Sequence, residues 1–160
     1  MLRRDKAFAL LLAPLAVAAD QVTKRWALTA LGQVGGHLEL PGPVDLTLNF
    51  NQSNAFGLTP IIGDATRWFL MGANLAVAAF LLSIILRRTS RPLTIYGFAL
   101  IMAGAVGNAL DRLFVGAVVD FLDASKIGFV WIFNLADATL DVGIGLILLS
   151  VFLDRRQAGA

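Results

Sequence analysis

Five aspartates lie close together in a chain that is otherwise strongly apolar. They are Asp111, Asp120, Asp123, Asp137 and Asp141, whereas 58% of the 160 residues are hydrophobic. Ionisable groups at membrane depth are costly and by default mark function, but carboxylates at a membrane boundary can simply contact water or cap a helix. We assign that second, structural role to Asp123 and Asp141.

Asp120 and Asp137 differ from the others because each is embedded in apolar sequence. Asp120 lies in the run VVDF and Asp137 in the run FNLAD. The segment between them, 121–136, is long enough to turn back and bring the two carboxyls together. Two carboxylates that share a site cannot both ionise easily, so one keeps a proton and the pair titrates as a unit. One member can then activate water while the other protonates a substrate carbonyl.

Polar residues at helical spacing accompany the two aspartates. Asn108, Asp111 and Arg112 follow i, i+3 and i+4 spacing and therefore share one helix face. Asn134 lies three residues before the second aspartate of the pair. Amides can hydrogen-bond a substrate backbone, and an arginine can balance the charge of the pair or brace the loops. The alternative is that Asn108 and Arg112 only satisfy helix ends, and the spacing leaves both interpretations open.

The composition indicates an integral membrane protein. The charged fraction is 15% and the mean hydropathy is +0.75, against roughly 25% charged residues in an average soluble protein. The net charge of +2 does not suggest nucleic acid as a partner. The absence of cysteine excludes disulfides, thiol nucleophiles and cysteine-bound metals. His37 is the only histidine, which excludes a zinc peptidase of the H-E-x-x-H type because that site needs two histidines one helical turn apart.

Four segments are long and apolar enough to cross a bilayer, since a transmembrane helix needs about 20 mostly apolar residues. The spans are predicted at 7–31, 67–86, 92–112 and 134–153. They form a single membrane-embedded domain over 1–160, with outer segments at 32–66 and 113–133. The predicted fold class is an α-helical integral membrane protein with four transmembrane helices, a small extracytoplasmic β-sheet and a short outer loop segment between helices 3 and 4.

The first span has an alternative interpretation as a cleavable signal peptide. Residues 1–6 would be the basic region, 7–19 the apolar core and AVA at 16–18 the small-residue cleavage motif. Asp20 and Lys24 argue against cleavage, because an acid four residues before a base is the favoured order for an ion pair on one helix face. We therefore predict an uncleaved helix that carries this pair.

Lysine and arginine are distributed unevenly between the two sides of the predicted spans. Eight lie on one side and five on the other, and by the positive-inside rule the richer side faces the cytoplasm. Both termini are then cytoplasmic. The segments 32–66 and 113–133 face the extracytoplasmic side.

The segment before the second span contains a strand pattern. In VDLTLNF at 44–50, apolar and polar residues alternate, which is the period of a half-buried strand. HLEL at 37–40 is a candidate partner strand. We predict a small sheet on the membrane surface with its apolar face towards lipid or the helices. Asn51 follows this strand and can reach the paired aspartates.

Four motifs resemble those of one known family. GNALDRLFVGAVVDF at 107–121 resembles G-N-x-x-D-R-x-x-x-G-x-V-x-D-F, and FNLAD at 133–137 resembles F-N-x-A-D. DQVTK at 20–24 resembles D-Q-x-x-K, and NQSNAFG at 51–57 resembles N-x-G-A-x-F-G. These are motifs of lipoprotein signal peptidase, also called signal peptidase II, and the four-helix layout extends the resemblance to essentially the whole chain. Ser53-Asn54 depart from the usual Gly-Ala, which concerns the conformation of that loop rather than the chemistry.

The resemblance implies a membrane aspartic endopeptidase. Such an enzyme removes the signal peptide of prolipoproteins by cutting just before a lipobox cysteine that already carries diacylglycerol. The catalytic aspartates of the family correspond to Asp120 and Asp137, which together activate the water. The supporting residues that match the family motifs are Asp20, Lys24, Asn51, Asn108, Asp111, Arg112, Asn134 and Ala136.

The resemblance also implies partners and a location. The substrates are diacylglyceryl-modified prolipoproteins, the surroundings are membrane lipid, and the cyclic peptide inhibitor globomycin is expected at the same site. No cofactor, metal or nucleic acid is expected, and the protein is expected to be a monomer. The location is the bacterial inner membrane, with a multi-pass chain and the active site at the extracytoplasmic face.

Other functions are compatible with parts of the pattern. A proton- or ion-coupled transporter would use some of the same aspartates as a relay, but transporters usually bind their ions near the midplane, whereas these aspartates cluster at one face. A serine–lysine peptidase would use Ser53 or Ser125 as nucleophile and Lys24 as base. A non-catalytic assembly subunit would need the aspartates only for stability.

Overall fold

Within the residues that the structure describes, four helices are long and apolar enough to cross a membrane, and they form the body of the protein. The computed structural model describes residues 2–52, 64–87 and 91–158. Its helices are α1 (Leu2–Leu31), α2 (Asp64–Arg87), α3 (Pro92–Phe114) and α4 (Leu135–Ala158). The predicted four-helix membrane architecture is therefore confirmed.

The central helix is α3, which packs against each of the other three helices. Small residues allow its close approach to α4, as is common between helices in membranes. A Cβ added at Gly97 would meet the carbonyl oxygen of Gly143 at 2.7 Å. This close packing holds together the two helices that carry Asn108 and Asp137.

Large apolar side chains point outward along much of the bundle, and a small apolar core lies within it. Phe69 and Phe80 on α2 and Leu148 on α4 are more than 60% exposed, as expected for faces that meet lipid. The buried cluster between α1, α2 and α3 consists of Ala9, Ala13, Ile85, Ile95, Ala99 and Ala103.

A four-stranded antiparallel sheet lies where α1 and α3 end and where α2 and α4 begin; we call this the sheet end of the bundle. The strands pair in the order β1 (His37–Leu38), β2 (Asp45–Asn51), β3 (Val118–Asp123) and β4 (Ile132–Phe133). The predicted pairing of HLEL with VDLTLNF is confirmed. The segment between α3 and α4 was expected to be a loop, and instead it contributes two of the four strands and a short 3-10 turn at Ser125–Ile127.

The apolar face of β2 packs on the protein rather than on lipid. Leu46 and Leu48 are buried in a cluster with Ala27 and Leu31 of α1 and with Val119 and Phe121 of β3. The pairing of β2 with β3 shifts register between Leu46 and Asn49, an irregularity of the kind that bends a strand and re-aims its side chains. Beyond this shift, the end of β2 runs beside Asp120.

Candidate active site

Asp120 and Asp137 come from different elements and meet at the sheet end. Asp120 lies in the middle of β3 and is 1% exposed. Asp137 lies in the first turn of α4 and is half-buried. Asn134 donates from Nδ2 to Asp120 Oδ1 across 2.7 Å and accepts, at Oδ1, the backbone N–H of Asp137 across 2.9 Å. One fully buried amide therefore ties both aspartates together.

The local sequence FNLAD explains this arrangement as a helix cap. Asn134 occupies the N-cap position of α4, and Asp137, three residues later, accepts the backbone N–H of Asn134 at 3.3 Å. This reciprocal pattern is that of a capping box, with Asn and Asp in the two roles. The hydrogen bonds that cap the start of α4 therefore also fix the position of the Asp137 side chain.

Two further amides hold the pair from other elements. Asn108 on α3 donates from Nδ2 to Asp137 Oδ1 across 2.8 Å, and its own carbonyl oxygen accepts Asn134 Nδ2 at 3.2 Å. Asn51, at the end of β2, donates to Asp120 Oδ2 across 3.1 Å. The carboxyl group of each aspartate therefore receives at least one hydrogen bond from a side-chain amide.

Behind the pair lies a buried ion cluster, which we define as Asp20, Lys24 and Asp111. The Lys24 ammonium lies 2.9 Å from Asp20 and 2.7 Å from Asp111, and all three side chains are at most 3% exposed. Asp20 accepts the backbone N–H of Ala136 at 2.9 Å, and Asp111 accepts that of Val119 at 3.1 Å. The cluster thus links α1 and α3 to the backbone beside each candidate aspartate.

Gln21 donates hydrogen bonds to the ion cluster, although it was not among the predicted site residues. Its amide nitrogen lies 2.8 Å from Asp111 Oδ1, 3.2 Å from Asp20 Oδ2 and 3.2 Å from the carbonyl oxygen of Gly107. The signal was present, because Gln21 lies in DQVTK three residues before Lys24 and so on the same helix face. A Cβ added at Gly107 would meet Asp20 Oδ2 at 2.6 Å, which explains why a glycine stands opposite these groups.

Arg112 is buried at the C-terminal end of α3. Its guanidinium donates to the carbonyl oxygen of Asn108 across 3.3 Å and lies near enough to Asp120 and Asp137 to interact with their charges. Arg67 of α2, a further residue that the sequence analysis did not identify, donates to the carbonyl oxygens of Arg112 and Leu113. These contacts tie the start of α2 to the end of α3.

The pKa of the Asp120 carboxyl is higher in the folded protein than it would be in water. Burial, and then the nearby charge of Asp137, raise the pKa of Asp120 to about 7, against the opposing hydrogen bonds from Asn51 and Asn134. Near neutral pH this carboxyl is therefore poised between its two protonation states, which suits a general acid or base.

Asp123 and Asp141 lie apart from the pair. Asp123 accepts hydrogen bonds from the Ser125 N–H at 3.0 Å and from Thr47 Oγ1 at 2.8 Å. Hydrogen bonding by the Ser125 side chain, and then by the Ser125 N–H and Thr47, lowers the pKa of Asp123. Asp141 is exposed on α4. The Ser53-Asn54 positions fall outside the described residues. Within the described ranges, no group of three or more His, Cys, Asp or Glu side chains is arranged to hold a metal ion.

Comparison with known proteins identifies the family. The family model described as signal peptidase (SPase) II matches residues 12–153. The chain belongs to the signal peptidase II family. The lipoprotein signal peptidase of Caulobacter vibrioides is 40% identical over 148 residues, which cover 91% of this chain and 87% of the relative. That of Brevibacillus brevis is 35% identical over 149 residues, which cover 92% and 96%.

Solved structures agree with this membership. One bacterial membrane enzyme matches with a TM-score of 0.80 at 27% identity, over 93% of this chain and 90% of that one. A second matches with a TM-score of 0.78, also at 27% identity, over 91% and 92%. The resemblance drawn from the four motifs is confirmed, and the chain is a multi-pass membrane peptidase of the signal peptidase II family.

Proposed function

We propose that this peptidase removes the signal peptide from diacylglyceryl-modified prolipoproteins, cutting just before the lipidated lipobox cysteine, with Asp120 and Asp137 as its catalytic pair. The observation that carries the proposal is the amide of Asn134, which is bonded to both aspartates in a buried site. The substrate class is supported by the name shared by the relatives, lipoprotein signal peptidase.

The proposed reaction divides the proton transfers between the two carboxyls. Asp137 accepts a proton from the attacking water while Asp120, which holds the shared proton, donates it to the scissile carbonyl oxygen. The tetrahedral intermediate then collapses: its hydroxyl proton returns to Asp120, and Asp137 passes its proton to the departing cysteine nitrogen. Peptide bond cleavage thus consumes one water and returns the pair to its starting state.

The supporting residues have separate proposed roles. Asn51, Asn108 and Asn134 orient the carboxylate oxygens through the hydrogen bonds described above. Asp20, Lys24, Asp111 and Arg112 hold the helices and the nearby backbone, and Ala136 contributes its backbone N–H. No cofactor takes part in the proposed chemistry.

We also propose the orientation of the chain in the bacterial inner membrane. The excess of lysine and arginine at the end of the bundle opposite the sheet supports cytoplasmic termini and an extracytoplasmic sheet end. A site at this end lies where a membrane-anchored signal helix emerges, so a lipid-modified substrate can approach laterally through membrane lipid. We expect one protomer, as a single domain over 1–160, to carry the complete site and globomycin to bind there.

The decisive experiment measures cleavage of a diacylglyceryl-modified prolipoprotein by the purified protein in detergent. Asp120→Asn and Asp137→Asn are each expected to abolish cleavage without loss of the folded state, measured by thermal unfolding. Asp123→Asn and Asp141→Asn are matched controls, since they remove the same charge outside the pair, and are expected to retain substantial activity.

Full cleavage by the Asp120→Asn protein would exclude the proposed pair. A wild-type protein that fails to cut an authentic lipidated substrate would exclude the proposed substrate. Proton- or ion-coupled transport, the alternative use of the same aspartates, would then be measured in liposomes as a flux that depends on membrane potential.

A further inference from the structure

The connection between β3 and β4 exposes a continuous run of large apolar side chains. We call residues 127–131, with the sequence IGFVW, the apolar loop. The exposed fractions of its side chains are 65% for Ile127, 49% for Phe129, 79% for Val130 and 64% for Trp131. A contiguous exposed apolar patch in a folded protein marks a surface that meets a partner or a membrane.

The apolar loop has a defined conformation at its base. Gly128 adopts a left-handed φ of 83°, and its N–H bonds the carbonyl oxygen of Ser125 at 2.9 Å. The N–H of Phe129 bonds the carbonyl oxygen of Ala124 at 3.3 Å. The Phe129 ring packs edge-to-face on Phe133 of β4 at a centroid distance of 6.0 Å. These bonds close a turn that directs the remaining side chains outward.

The charged residue next to the apolar loop is turned back onto the sheet. Lys126 Nζ lies 2.7 Å from Asp45 Oδ1 and 3.0 Å from the carbonyl oxygen of Leu40. The hydrogen bond from Lys126 is the largest of the effects that lower the pKa of Asp45, so the pair remains ionised near neutral pH. The ammonium is thus held by the sheet, and the five residues that follow carry no charge.

All three tryptophans of the chain lie at the sheet end. Trp26 is in the last turns of α1, Trp68 is in the first turns of α2, and Trp131 is four residues before α4 begins at Leu135. Their side chains are 50%, 49% and 64% exposed, respectively. Tryptophan is enriched where a membrane meets water, because its ring is apolar and its N–H is polar. Trp26 and Trp68 therefore mark this boundary on the helices.

We propose that the apolar loop inserts into the bilayer at the boundary between headgroups and acyl chains, where it anchors the sheet to the membrane. The apolar loop meets lipid rather than protein, because Trp131 lies only four residues before a membrane-spanning helix and continues the boundary marked by Trp26 and Trp68. Leu113 and Phe114, at the end of α3 and therefore also at the sheet end, are exposed as well. This anchoring goes beyond the peptidase chemistry and does not depend on it.

The test uses the full-length protein in liposomes with Trp131 as the sole tryptophan, in a Trp26→Phe/Trp68→Phe variant. We expect blue-shifted emission, loss of intensity with lipids brominated near the headgroup end of their acyl chains, and weak quenching by iodide. Val130→Glu in the same background should reduce the bromolipid quenching, because it places a charge in the apolar loop. Gln33→Glu, which adds a charge to another exposed position at the sheet end, should leave it unchanged.

Three results would overturn the proposal. Water-like emission with strong iodide quenching would mean that the apolar loop lies in solvent. Protection from both iodide and bromolipids would mean that protein, such as a second copy of the chain, covers it. Bromolipid quenching that appears only after a prolipoprotein is added would assign the loop to substrate binding instead. None of these readings requires the enzyme to cut, so the result is independent of the outcome of the cleavage assay.

Discussion

The Lys24 ammonium donates a hydrogen bond to the side-chain oxygen of Asn108 across 3.1 Å, although 84 residues separate the two. Because a lysine ammonium has donors only, it fixes the oxygen of this amide towards α1. The Asn108 nitrogen then faces Asp137, at 2.8 Å. The orientation of an amide beside the candidate pair therefore depends on a lysine in the ion cluster behind it.

Lys24→Met is expected to lower the free energy of unfolding by about 3–5 kcal/mol, because it leaves Asp20 and Asp111 as buried carboxylates without their cation. Lys126→Met is the matched control. It also removes a lysine that pairs with an aspartate, but the Lys126 side chain is 32% exposed, so a much smaller loss is expected because solvent screens the pair. Chemical unfolding in detergent measures both.

Asp111→Asn in the Lys24→Met background should recover part of the loss, since it removes one of the stranded charges. Equal losses for Lys24→Met and Lys126→Met would contradict the role of the ion cluster.

Much of this architecture could be predicted from the sequence, because its signals are local. Long, mostly apolar segments predicted four helices, and the alternation in VDLTLNF predicted β2. The i, i+4 spacing predicted the Asp20–Lys24 ion pair, which is observed at 2.9 Å. The capping pattern in FNLAD also lies within one helical turn, although it was not among the predictions.

The features that sequence reasoning missed depend on contacts between distant segments. Strand β3, with the sequence VVDFLD, lies in the segment that was predicted as a loop, and its pairing with β2 makes it a strand. The link from Gln21 to Asp111 joins α1 to α3 across 90 residues, and no local spacing predicts it. The hydrogen bonds of Arg67 to the end of α3 are of the same kind.

The pH dependence of cleavage should reveal the hydrogen bond between Asn51 and Asp120. Cleavage is expected to fall as the pH rises through about 7, because Asp120 then loses the proton that it donates. The amide of Asn51 lowers the pKa of Asp120 by stabilising the carboxylate. Asn51→Leu should therefore move the alkaline limb of kcat/KM to higher pH. Thr47→Val is the control: it removes a hydrogen bond to Asp123 instead and should leave the alkaline limb where it is. If the alkaline limb of Asn51→Leu moved to lower pH, the limb could not be assigned to ionisation of Asp120.

Asp120→Asn is expected to be more stable than the wild type at pH 8. The folded-state pKa of about 7 lies above the unfolded value of 3.8. Ionisation of Asp120 therefore destabilises the fold progressively from about pH 4 to pH 7, and the full penalty remains above pH 7. Removing that charge should raise the free energy of unfolding at pH 8 by on the order of 1–3 kcal/mol, and by almost nothing at pH 4.

Asp123→Asn is the control of opposite sign, because the pKa of Asp123 is lowered by its hydrogen bonds. It should destabilise the protein at pH 8 and have little effect below pH 3. If Asp120→Asn changed the free energy of unfolding by the same amount at pH 4 and pH 8, ionisation of Asp120 would not be what destabilises the fold.

Two glycines of α4 should respond differently to the same added methyl group. A Cβ at Gly143 would meet the carbonyl oxygen of Gly97 and the Ile101 side chain, each at 2.7 Å, whereas a Cβ at Gly145 would meet nothing within 4 Å. Gly143→Ala must therefore push α3 and α4 apart, and overpacking of this kind typically costs about 1–3 kcal/mol. Because the same two helices carry Asn108 and Asp137, cleavage should fall with stability. Gly145→Ala should leave unfolding and cleavage unchanged, and equal behaviour of the two variants would exclude close helix packing as the support of the site.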